Sequence, residues 1–193
     1  GRSTKNRKVH AGIKRGAEDL LATAKYIRKE SGAKIFLMYG ISSGALRAAL
    51  FAQKYSQFVQ RVVLDAFVWT GKGSPTLKDR AKRFANSKGT DRRPIHSKFI
   101  RTIFSRDKHA KAAYPDVVNA FAEACCELDD SVPNGTYVDM TRRLPLVNPK
   151  KLKPPVLVTR GEWDGIASYE DLIEFFSLLP NPDKQFAVLP GIS

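Results

Sequence analysis

The sequence predicts an α/β protein, a parallel sheet flanked by helices and interrupted by a long helical insertion. Three observations predict it. Four short apolar runs, Ile35–Tyr39, Val62–Trp69, Val156–Arg160 and Gln185–Leu189, have strand length, and each is continuous, as expected when both faces of a sheet are covered. Helical patterns separate them, and strand–helix alternation argues for βαβ units. Between Gly71 and Lys153 the alternation stops, leaving helical pieces and no convincing strand.

The elements follow in order. Over Ala17–Glu30, Leu20, Leu21, Ala24 and Ile27 recur at helical spacing. After the first strand, Ser43–Tyr55 carries Leu46, Ala49 and Leu50 beside the small residues Ala45 and Ala48. In the insertion, Ser74-Pro75 has the favoured cap-then-proline order, with Leu77, Ala81, Phe84 and Ala85 on one side. Phe99, Ile100, Ile103 and Phe104 mark a second helix. Pro115 opens a third with Val117, Val118, Phe121, Cys125 and Leu128 as its stripe. The last helix, Tyr169–Leu179, follows the capping residue Ser168, with Asp171 completing a capping-box pattern and Leu172, Ile173, Phe176 and Leu179 on one face. The organisation is therefore a core over 1–70, a helical insertion over 71–153 that reads as a lid, and a return to the core over 154–193.

The first strand ends in Gly40-Ile41-Ser42-Ser43-Gly44, and a helix follows at once. This is the G-x-S-x-G nucleophile elbow in the context that gives it meaning. The sharp turn lifts the Ser42 hydroxyl clear of the sheet at a helix N-terminus, where developing negative charge is favoured. The amide of Ser43 points at the oxyanion. Gly40 and Gly44, lacking Cβ atoms, let strand and helix approach each other. A structural glycine turn is the bland alternative.

A second apolar strand runs into Arg160-Gly-Glu-Trp-Asp164. Asp164 follows the serine and stands at a strand end, the order and place of a triad acid. Its work would be to orient a histidine and stabilise the imidazolium. Glu162 sits closer to the strand. Asp65 is a rival, but it falls inside the run Val62–Trp69, which favours Asp164.

The whole chain resembles an α/β-hydrolase. The Gly-Ile-Ser-Ser-Gly elbow, the Val-Leu-Asp strand and the Arg-Gly-Glu-Trp-Asp loop fall in family order, and Leu189-Pro-Gly-Ile192 is similar to the segment that leads into the family's catalytic histidine. The resemblance implies Ser42 as nucleophile, Asp164 as acid and Ser43 as an oxyanion amide. Two parts of the pattern are missing: the early strands with the loop that supplies the second oxyanion amide, and a histidine after Asp164. Both ends of the chain read as cuts through a larger protein, so the chain alone is not expected to be a competent hydrolase.

The remaining candidates carry less. His10, His96 and His109 all precede Asp164 and read as surface or packing residues. Adjacent Cys125 and Cys126 suit neither a disulfide nor a zinc site and suggest a reducing, cytoplasmic compartment. No metal or organic cofactor is expected. No apolar run approaches the roughly 18–20 residues of a membrane span. Of the net charge of +14, a net of +10 falls between Lys72 and Lys111, where 13 Lys or Arg meet three Asp. A solvated face is its ordinary meaning; a collar attracting an anionic substrate is the sharper one. No nucleic-acid motif accompanies the charge, and Phe84, Phe99 and Phe104 have core spacing, so nucleic acid is not an expected partner. Trp69 and Trp163, near strand ends, either line a pocket or pack. The expected function is hydrolysis of an ester, amide or related acyl bond in a small-molecule substrate. The alternatives are a non-catalytic binding protein on the same fold, or a relative cleaving C–C or carbon–halogen bonds.

Overall fold

A computed structural model describes residues 10–105 and 113–192. His109 lies outside the described residues. Helix α1 (Ile13–Ser31) leads to strand β1 (Phe36–Ile41), helix α2 (Ser43–Lys54) and strand β2 (Val59–Asp65). Then come α3 (Pro75–Arg83), β3 (Arg92–Pro94), α4 (Ser97–Ser105), α5 (Pro115–Leu128), β4 (Ser131–Pro133) and α6 (Gly135–Arg142). The chain returns through β5 (Val156–Gly161), α7 (Tyr169–Ser177) and β6 (Lys184–Leu189).

The main sheet has the order β1-β2-β5-β6 with every pair parallel. All four strands therefore end at one edge, and the loops that leave that edge share a surface. Val62, Leu64, Val156 and Val158 are at most 3% exposed and meet the buried alanines and leucines of α2 and, from α7, Leu172 and Phe175. Burying each such aliphatic side chain is worth about 1.5–3 kcal/mol. Helix α2 lies over β1 and β2, and α1 packs on α2.

Several sequence expectations need correction. β1 is not covered on both faces: Phe36, Met38 and Gly40 turn inward beneath α2, whereas Leu37, Tyr39 and Ile41 are exposed among the described residues. β2 stops at Asp65, well short of Trp69, because Ala66 takes a left-handed backbone with φ 46°. Phe67, Val68 and Trp69 extend the apolar run because they enter the core as a loop. The insertion contains a short antiparallel ribbon, β3 against β4, where no strand was expected. The stripe of α5 faces outward in part, with Val117, Phe121 and Leu128 exposed and only Ala122 buried.

The caps show how local chemistry is shared out. Ser74 Oγ accepts from the Leu77 amide and Ser168 Oγ from the Asp171 amide, as their positions predict. Asp171 does not complete the capping box. Its buried carboxylate accepts instead from the Thr70 amide and hydroxyl and from the Gly71 amide, tying the start of the insertion to α7.

Candidate active site

Ser42 stands between β1 and α2, with φ 55° and ψ −123°, a conformation sparsely populated for any residue with a side chain. Three contacts hold the turn. The Ser42 amide donates to the Asp65 carbonyl at 2.8 Å, and the Ala45 amide donates to the Ser42 carbonyl at 3.0 Å. A Cβ on Gly40 would meet the Gly44 carbonyl oxygen at 2.6 Å and both Ala45 Cα and Ala48 Cβ at 2.8 Å. Strand and helix therefore touch at Gly40. The matching expectation for Gly44 does not hold, since a Cβ there meets nothing within 4 Å. Ser43 is the first residue of α2. Its amide is among those that a helix leaves without an internal partner, directed at whatever lies over the N-terminus.

Asp164 lies three residues past the end of β5. Its Oδ1 accepts from the amides of Ile166 at 2.8 Å and Ala167 at 3.2 Å, closing the loop on itself. No hydrogen bond reaches Oδ2 among the described residues. Arg160, 7% exposed, gathers the loop from below by donating to the carbonyls of Glu162, Asp164 and Ala167. The turn after β6 docks on the same loop: the Glu162 carboxylate accepts from the Gly191 amide at 2.9 Å, and the Trp163 amide donates to the Ile192 carbonyl at 2.9 Å.

These loops enclose a cleft of about 700 Å³ lined by Ser42, Ser43, Asp164, Ala66, Ile166 and Ile192 from the sheet edge. The insertion adds Arg80, Arg93, Ile103, Phe104, Thr136, Tyr137 and Met140 to the lining. Ser42 and Asp164, 122 positions apart in sequence, thus share one cavity.

The rival acid occupies a different environment. Asp65 is the last residue of β2, so the ground that it lies within a strand run disappears. Its carboxylate accepts from the Tyr39 hydroxyl at 2.6 Å and from the Thr159 hydroxyl at 2.7 Å, bracing the sheet across three strands. It is not among the residues lining the cleft. The hydrogen bond to Asp65 holds the Tyr39 phenol above its ordinary pKa, because ionisation removes the donated proton; burial and the nearby Asp65 charge add to it.

Neither tryptophan lines the cleft. Trp69 is core: its indole N–H donates to the Val147 carbonyl at 3.0 Å, and its ring packs on Phe175. Trp163 is half-buried in the acid loop. The described histidines are also elsewhere. His96 Nδ1 accepts from the Phe99 amide at the start of α4, and the His10 ring lies on the buried backbone of Gly89, where a Cβ would fall 1.9 Å from its Nε2. Among the described residues no group of His, Cys, Asp or Glu is arranged to hold a metal. No helix among them is long and apolar enough to cross a membrane.

Three arginines escape a sequence reading that counts charge. Arg160 positions the acid loop. Arg93 lines the cleft. Arg47, one turn into α2, donates to the carbonyl and hydroxyl of Ser43, to the Ala11 carbonyl and to the Thr136 hydroxyl, joining the elbow to the insertion. Burial holds Arg47 below the usual guanidinium pKa. Gly16 lies against Arg47, and its missing Cβ leaves room for the guanidinium stem.

Known proteins place this architecture. The chain is 20% identical to a solved E-2-(acetamidomethylene)succinate hydrolase, with 100% of this chain aligned to 70% of that one at a TM-score of 0.66. A monoacylglycerol lipase of Paleococcus ferrophilus aligns at 18% identity over 99% of this chain and 70% of its own, with a TM-score of 0.67. A meta-cleavage product hydrolase of Pseudomonas fluorescens IP01 aligns at 13% identity over 100% and 68%, also with a TM-score of 0.67. At these identities they show the fold. No curated protein matches the sequence. The family model described as serine aminopeptidase, S33, matches residues 1–193. The chain belongs to that family and is an α/β-hydrolase.

Proposed function

We propose that the protein is a serine hydrolase cleaving an ester, amide or related acyl bond of a small molecule, with Ser42 as nucleophile and Asp164 as triad acid. The observation that carries this reading is the backbone of Ser42, held at φ 55° and ψ −123° on the rim of a cleft that also contains Asp164. Strain of this kind is costly and persists where the exposed side chain has work to do.

In the proposed reaction a histidine following the Leu189–Ile192 turn takes the Ser42 proton as Oγ attacks the acyl carbon. Docking of that turn on the acid loop supports this origin, since it brings Ile192 into the cleft beside Asp164. The oxyanion forms over the N-terminus of α2, where the Ser43 amide donates to it. Collapse breaks the bond to the leaving group, which receives the proton from the imidazolium. Water, deprotonated by the same imidazole, then releases the acid from the acyl-enzyme. The insertion over 71–153 acts as a lid, and its positive charge favours anionic substrates.

The test is covalent. Full-length protein treated with a serine-directed phosphonate should gain one adduct, mapped by mass spectrometry to Ser42, and Ser42→Ala should gain none. Hydrolysis of short acyl esters should fall in Ser42→Ala by about six orders of magnitude, as when the nucleophile of a triad is removed. A wild-type protein that binds acyl compounds yet neither reacts with phosphonate nor turns over esters would be a non-catalytic binding protein on this fold.

A further inference from the structure

We propose that Arg93 forms an anion subsite in the cleft, selecting substrates that carry a carboxylate besides the bond to be cleaved. This rests on the serine hydrolase reading and adds the substrate class.

Arg93 is the middle residue of β3 and is held from several sides. Its guanidinium carbon lies 3.8 Å from the centroid of the Tyr137 ring. Its Nη1 donates to the Pro133 carbonyl and to Asn134 Oδ1, both at 3.1 Å. Asn134 is itself buried and donates to Ser87 Oγ at 2.9 Å. Arg80 sits against the same Tyr137 ring at 4.7 Å, so two guanidinium groups converge on one wall of the cleft.

The charge of Arg93 is unbalanced. Its neighbour Arg92 reaches Asp129 at 3.5 Å, and Arg143 reaches Asp139 at 2.9 Å. Among the described residues no carboxylate lies within ion-pair distance of Arg93. Its partners are neutral oxygens, and its Nε is buried with no hydrogen-bond partner. Burial also pushes its pKa down, against the opposing pull of Tyr137. Such a group is costly in an empty protein and favourable once an anion arrives. Cation–π stacking fixes the guanidinium but supplies no negative charge. Asp164 is the only acidic residue described on the cleft wall, and the proposed triad commits it to the histidine. A carboxylate on the substrate would supply the partner that the described residues do not, and a guanidinium held in place is well shaped to receive one.

The experiment compares two esters of one alcohol in the full-length protein: a butyrate, which is neutral, and a hemisuccinate, which adds a carboxylate at the acyl end. The hemisuccinate should have the higher kcat/KM by about 10- to 100-fold, the range of a charge-assisted hydrogen bond. Arg93→Met should bring the ratio near one, and Arg93→Glu should shift preference to a 4-aminobutyrate ester. Because a ratio is read, poor folding lowers both rates and leaves it unchanged. Equal rates in the wild type, or a preference that survives Arg93→Met, would overturn the subsite. Failure to cleave either ester would instead overturn the hydrolase reading. Calorimetric titration with succinate then decides the subsite alone: binding kept in Ser42→Ala and lost in Arg93→Met supports it, and wild-type protein that ignores succinate refutes it.

Discussion

The elbow and the acid loop leave neighbouring regions of one sheet edge, yet they are held by opposite means. The elbow is fixed by backbone. A missing Cβ at Gly40 lets β1 and α2 touch, and two main-chain hydrogen bonds pin Ser42 in its strained conformation. The acid loop is fixed by side chains, with Asp164 bonding its own following amides and Arg160 collecting three carbonyls from beneath. A backbone device tolerates almost no change at its glycine, whereas a side-chain device depends on the Asp164 carboxylate and one buried cation.

The strongest way to break this comparison is at the acid. Asp164→Asn should lower turnover of a short ester by about 10⁴-fold, the scale for losing a triad carboxylate, with the circular dichroism spectrum unchanged. Asp65→Asn should leave turnover within about tenfold. The reverse order in steady-state assays would make Asp65 the acid and reduce Asp164 to a loop closure.

Removal of the side-chain anchor comes next. Arg160→Met keeps the volume but abandons the Glu162, Asp164 and Ala167 carbonyls. We expect kcat to fall by about 10- to 100-fold through loss of acid positioning and stability to fall by about 1–3 kcal/mol. KM should change less than kcat. A loss confined to KM would mean that the loop shapes the binding wall and does not position the acid.

The two elbow glycines sharpen the contrast. Gly40→Ala forces a methyl group against backbone atoms and should cost about 1–3 kcal/mol in urea unfolding. Gly44→Ala meets open space on a helix and should be neutral or stabilising by up to about 1 kcal/mol. Equal losses in the two variants would contradict the asymmetry seen at the elbow.

The smallest effect concerns pH. Tyr39 has its folded-state pKa raised by the bond to Asp65, so the bond stabilises the fold below the unfolded tyrosine value, near 10, and is lost as pH rises through the higher folded value. The stability difference between wild type and Tyr39→Phe should therefore be constant from neutral pH to about 9 and vanish in stronger alkali. A difference that grows with alkali would reverse the sign of the coupling.

Much of this was legible in the sequence for a physical reason. Apolar runs and helical spacing report burial, and the four strands of the main sheet and the helices that flank them overlap those patterns. The elbow is legible because only glycine tolerates the approach at position 40. The end of β2 was not: Phe67–Trp69 are as apolar as a strand, and burial in a loop has no separate signature. The arginines were hidden for another reason. In a stretch with 13 Lys or Arg, the sequence supplies only a net charge. Folding divides that stretch, turning Arg80 and Arg93 toward the cleft while Lys82 and Arg83 face solvent. The paired contacts of Arg47 and Gly16, 31 positions apart, depend on how α1 crosses α2, which no local pattern encodes.

The docking of the β6 turn on the acid loop has a consequence for local unfolding. The amides of Trp163 and Gly191 are each bonded across the same seam, and the Glu162 amide donates to the Leu189 carbonyl beside them. Each of the three amides is held by a bond that must break before it exchanges. Their hydrogen exchange should follow a single opening event, although Glu162 and Gly191 are 29 positions apart. The acid loop and the turn after β6 would then loosen together or not at all, and thermal fluctuations would move Asp164 and Ile192 as one body.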